Sequence, residues 1–136
     1  MIENAIEYVK QIFTNDCGGH DYHHTMRVYR LAVQIAKQEN ADRLDAMDAI
    51  GIARTFAYGG SKGRKIYDPE IKPLVNMSKE EYDQNQNSTS INHFYEKLLL
   101  LKDMMNTDDA KRIAEHRQVV MGNYLEEFMA KWKGER

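Results

Sequence analysis

The sequence predicts an all-α fold, and three observations predict it. Apolar residues recur at helical spacing in separate stretches: Ile2, Ile6, Val9 and Phe13; Val28, Leu31 and Ile35; Ile113, Val120, Tyr124 and Phe128. No stretch shows the strict apolar–polar alternation of a half-buried strand. Both prolines, Pro69 and Pro73, fall in a single segment, so the rest of the chain has few breakers. At 136 residues the chain is long enough to bury a core without disulfides, and one domain spanning residues 1–136 is the expectation.

The first helix is expected over residues 2–14, followed by a turn at Asn15, Asp16, Gly18 and Gly19. The second is expected from His20 or Asp21 to about Asn40, with Asp21 capping its start or sitting in its first turn. His20 and His24 share a helix face, as do His23 and Arg27, because residues four apart are neighbours. Helical preference continues from Asp42 to Phe56 through Ala46, Ala49 and Ala53, and no breaker lies between Asn40 and Ile50. Residues 21–56 are therefore readable as one long helix, or as two helices with a bend near Asn40. Gly51 is a mild interruption that permits a close helix contact.

Residues 57–77 read as a long loop holding three glycines, both prolines and four basic residues. Ser78 and Glu81 form a capping-box signature for a short helix. The polar run Asn85–Ser90 is expected to be mobile. Residues 91–105 and a final segment to about Trp132 are helical, the latter with Asp108 and Asp109 in its first turn. The apolar stripe of that last helix is wide enough to pack on two neighbours or across a homodimer interface.

Composition excludes several classes. Net charge is −2, so no basic stripe points to a nucleic-acid polymer. No apolar run approaches the ~20 residues of a membrane span, and the acidic amphipathic N-terminus is unlike a signal peptide. A single cysteine, Cys17, fits a reducing, cytoplasmic setting. The segment from His20 to Phe56 concentrates chemistry: His20, His23 and His24, Arg27 and Arg30, then Asp42, Asp45 and Asp48 at a spacing of three. Imidazole and carboxylate are the usual ligands of a catalytic divalent metal. The same aspartates are also satisfied by Arg43, Arg54 or solvent. Lys62, Arg64 and Lys65 face either a phosphate or carboxylate group or bulk water. His93 and His116 read as packing or surface residues.

The stretches GHDYHHTMRVYRLAVQIAKQENAD and ADRLDAMDAIGIARTFAYGGSKGRKIYDPEI, with the tail from Ile91 through Trp132, resemble the HD-domain superfamily of metal-dependent phosphohydrolases, in a branch of small bacterial HD hydrolases. The resemblance implies an HD-like helical bundle with a long loop after the third helix, incomplete relative to the family. It implies a divalent metal cofactor held by His24 and Asp42, and a phosphorylated small-molecule partner, nucleotides included. The family's His-Asp doublet has no counterpart, because the one His-Asp here, His20-Asp21, lies upstream of His24. Two family-like halves are joined near residues 40–42. On chemical grounds Arg27, Arg54, Lys62 and Arg64 are the candidates to neutralise a phosphate. Asp45 is the candidate catalytic residue, orienting a ligand or accepting a proton. If residues 21–56 formed one helix, His24 and Asp42 would lie about 27 Å apart at about 1.5 Å per residue, and no metal could join them. A partner chain would then have to supply the missing groups, or the chain would be a non-catalytic helical scaffold that keeps the HD shell.

Overall fold

In the computed structural model the described residues are 2–12, 21–35, 38–75, 78, 80, 81 and 87–135. The expected turn at 15–19, Cys17 and His20 lie outside them. Helix α1 is Ile2–Ile12, α2 Tyr22–Ile35, α3 Gln38–Asp45 and α4 Asp48–Ser61. Helix α5 is Ser90–Glu96, a 3₁₀ helix follows at Leu98–Met104, and α6 is Asp108–Trp132. No strand occurs among the described residues, so the bundle is all-α as its periodicity predicts.

The single long helix does not form. Helix α2 ends at Ile35, α3 begins at Gln38, and α3 packs back along α2. A second break falls at Ala46 and Met47, where the sequence offers no breaker. The chain turns there because Asp48 adopts a left-handed backbone, φ 68°. Aspartate tolerates that conformation better than most L-residues. Its Oδ1 also accepts a hydrogen bond from Ala49 N at 2.7 Å.

Helix α3 is central because its apolar residues are spaced to be enclosed. Ala41, Leu44 and the following Met47 are all fully buried. Asn40, equally buried, is satisfied by donating from Nδ2 to Asn106 Oδ1 at 2.6 Å and to Thr107 Oγ1 at 3.3 Å, which ties α3 to the start of α6. Gly51 lets α4 begin directly after α3. A Cβ there would stand 2.1 Å from the carbonyl oxygen of Ala46, which is backbone and cannot yield.

Helix α4 runs past Phe56 to Ser61, so the long loop starts at Lys62. It is strapped to α5 by backbone bonds, Ser90 N to Lys65 O at 2.9 Å and Ile91 N to Ile66 O at 3.0 Å. Ser88, Thr89 and Ser90, expected in a mobile run, are buried. Thr89 caps α5 by accepting from Asn92 N, and Ser88 Oγ donates to Glu96 Oε2 at 2.8 Å. The hydroxyls of Ser88 and Thr89 are spent on local bonds, so their burial costs little. Ser78 and Glu81 make the reciprocal capping box read from the sequence, Glu81 N to Ser78 Oγ at 3.2 Å and Ser78 N to Glu81 Oε2 at 2.7 Å.

The end of the bundle away from α3 is aromatic. Phe94 stacks on Tyr124 at 6.0 Å between centroids, Phe128 stacks on Trp132 at 6.0 Å, and Tyr67 from the long loop meets Trp132 edge-on at 5.0 Å.

Two outcomes follow for stability. Gly51→Ala should lower the unfolding free energy by about 2 kcal/mol, the scale of forced overpacking, measured by urea denaturation. His93 is partly buried, and that burial, with the charges of Lys97 and Arg64, pushes its pKa down to about 4. The unfolded chain gains a proton near pH 6.5 that the folded chain refuses until about pH 4. Stability should therefore fall as pH drops through that window, by about 3 kcal/mol in full, and His93→Gln should remove that slope.

Candidate functional site

The candidate site forms where the start of α2, the end of α3 and the middle of α4 converge. Asp21 caps α2 by accepting from His24 N at 2.8 Å, which fixes the turn carrying His24. His24 and Arg27 are three apart and share a face of α2. Both reach the carboxylate of Asp45, the last residue of α3, whose side chain is 2% exposed.

Asp45 is saturated. His24 Nδ1 lies 2.6 Å from Oδ2. Arg27 donates from Nε to Oδ1 at 2.6 Å and from Nη2 to Oδ2 at 3.3 Å. Arg54, from α4, donates from Nη1 to Oδ2 at 2.7 Å and to the Asp45 carbonyl at 3.4 Å. Burial by itself would raise the Asp45 pKa. The Arg27 and His24 hydrogen bonds and the charges of Arg27 and Arg54 outweigh it and hold the carboxyl below its usual value.

That ionisation fixes the histidine. An ionised carboxylate only accepts, so Nδ1 of His24 carries the hydrogen. The other nitrogen, Nε2, lies 3.6 Å from Asp42 Oδ1. Two ligands about 2.1 Å from one tetrahedral ion are about 3.4 Å apart, close to this separation. A histidine oriented through its far nitrogen by a carboxylate is also a recurrent support for a metal ligand. The pair therefore fits one edge of a metal's coordination shell. Among the described residues no group of three or more His, Cys, Asp or Glu is placed to hold a metal ion, so the described donors at this edge are two.

Five of the seven candidate residues are thus together: His24, Arg27, Asp42, Asp45 and Arg54. The separation of about 27 Å implied by a continuous helix is replaced by 3.6 Å, because α3 doubles back on α2. Lys62 and Arg64 lie past the far end of α4, with Lys62 Nζ 5.7 Å from the centroid of the Tyr58 ring. Arg64 places its charge near His93 instead. The three aspartates do not converge: Asp45 is buried, Asp42 has a side chain 55% exposed, and Asp48 is turned by its left-handed backbone. Arg117 of α6 was not legible as a participant. It donates from Nη1 to the Leu44 carbonyl and holds α3 from the opposite side, a role that a lone arginine in a helix does not announce.

No protein-family model matches the chain. It is 34% identical to a solved HD-superfamily hydrolase from Bacillus thuringiensis, with a TM-score of 0.74 over 97% of this chain and 96% of that one. The chain belongs to the HD superfamily. A solved protein of Lactobacillus plantarum aligns with a TM-score of 0.86 and 31% identity, over 95% of both chains. The uncharacterized protein YpgQ of Bacillus subtilis (strain 168) is 37% identical over 98 residues, 72% of this chain. The HD-superfamily chain spans 40% of YpgQ's length. YpgQ has been solved in complex with ADP, and that structure aligns at 25% identity with a TM-score of 0.68.

Removing the central carboxylate should be costly. Asp45→Ala leaves two guanidiniums facing each other without their counter-charge, and should cost about 3 kcal/mol in denaturant unfolding. Arg43→Ala, which removes an exposed bond from Nη1 to the Met104 carbonyl, should cost far less.

Proposed function

We propose that the chain is an HD-type metal-dependent phosphohydrolase acting on a small phosphate ester of the nucleotide class. The observation that carries this reading is the Nε2–Asp42 edge of 3.6 Å, held in place through Asp45. A pure scaffold has no need to orient a histidine toward an exposed carboxylate. The solved complex of YpgQ with ADP supports the ligand class.

A divalent cation at this edge would supply the charge that polarises a phosphoryl oxygen and acidifies a water. His24 and Asp42 are the residues to hold it. A substrate phosphate oxygen and a water would complete the shell that these two side chains leave open, so a two-residue edge is consistent with joint loading of ion and substrate. Asp45 keeps the His24 hydrogen on Nδ1 and so leaves Nε2 as the ligating atom. Arg27 and Arg54 keep Asp45 ionised. A guanidinium carries five N–H donors, so each arginine has donors beyond those given to Asp45 with which to meet a phosphate oxygen. Lys62 and Arg64, on the long loop, are proposed only as outer contacts to a larger substrate.

The rival reading is a non-catalytic helical module with an HD shell. It is favoured by the commitment of Arg27 and Arg54 to Asp45. The two readings separate by calorimetry with manganese, with and without ADP. The hydrolase reading expects ion binding that strengthens when ADP is present and is lost in His24→Ala, together with phosphate release. Ion binding unchanged in His24→Ala removes that residue from the site, and no binding in the native chain favours the scaffold.

A further inference from the structure

A concavity adjoins the Asp45 cluster, and neither His24 nor Asp42 is among the residues that line it. It measures about 210 Å³ and opens between α2, the α3–α4 corner and α6. Three guanidiniums border it: Arg27 and Arg30 from α2, and Arg117 from α6. Two carboxylates border it as well, Asp45 and Asp48, above an apolar floor that includes Met47.

The charges do not cancel. Asp45 is consumed by Arg27 and Arg54. Asp48 Oδ1 is engaged by Ala49 N. Arg117 spends Nη1 on the Leu44 carbonyl, which fixes the guanidinium and leaves its other N–H groups for a ligand. Arg30 is exposed, and no hydrogen bond or ion pair of its side chain occurs among the described residues. Two cations from two different helices thus face one concave space, opposed by the single charge of Asp48. Planar guanidiniums match the oxygens of phosphate in paired geometry.

We propose that this cleft is an anion subsite that binds a phosphate group through Arg30 and Arg117. It goes beyond the hydrolase reading and does not rest on it, since it needs neither metal nor the His24–Asp42 edge. The phosphate is free or carried on a small ester, since the recognising chemistry is the same.

The test is a titration of the full chain with inorganic phosphate, followed by amide and arginine side-chain NMR, with a chelator present to remove divalent cations. Saturable shifts centred on Arg30, Asp48 and Arg117 are expected. Glycerol phosphate in place of inorganic phosphate separates the sources: tighter binding means an ester ligand, equal binding a free phosphate. Arg30→Glu should abolish the shifts, and its exposure makes misfolding no explanation. Asp48→Asn keeps a residue that tolerates the left-handed backbone and removes the opposing charge. It should tighten binding by about two- to fivefold, the scale of an exposed charge pair. Shifts that persist in Arg30→Glu, or that centre on His24 and Asp42, would overturn the proposal, as would no saturable shift at all. Failure of manganese binding at His24 would leave this outcome untouched.

Discussion

Everything near the candidate site depends on one buried carboxylate. Asp45 draws a histidine and an arginine from α2 and a second arginine from α4, and it sits at the end of the helix between them. A buried charge is tolerated only when paired and hydrogen-bonded. Here the pairing is also what fixes three helix positions at once. The apolar contacts of Leu44 and Met47 supply burial, but they do not dictate which way His24 points. The charged contacts do, so geometry and ionisation are one constraint.

Much of the fold was legible in the sequence. Helix periodicity gave the bundle, and capping residues gave two starts, Asp21 and Ser78. What was not legible were the corners. The turn at Ala46–Met47 has no glycine or proline, and it exists because Asp48 accepts a left-handed backbone while burying Met47. Local propensity favours helix there, and tertiary packing overrides it. Ser88–Ser90 misled for the opposite reason: a polar run looks solvated until its hydroxyls find Glu96 and an α5 amide. In the site, the residue types were legible and the meeting was not. His24, Arg27, Asp42, Asp45 and Arg54 could be named from the sequence. Their convergence required the fold-back of α3, which no residue signals.

The join that the resemblance leads one to expect at residues 40–42 falls inside a helix. Residues 40–42 lie within α3, and Asn40 and Ala41 are wholly buried. Asn40 is further bonded to Asn106 and Thr107. This segment of helix lies in the middle of the core, and it carries Asp42 on its exposed side.

The aromatic end of the bundle has an optical consequence. Trp132 is the sole tryptophan of the chain, and the ring against its edge, Tyr67, belongs to the long loop and not to any helix. Its indole is about half exposed, at 53%. The emission wavelength of that indole depends on how much water reaches it, and the loop governs part of that access. Loss of the Tyr67 contact would therefore register in the tryptophan emission, so the packing of the strap of residues 62–75 on α6 has an optical readout.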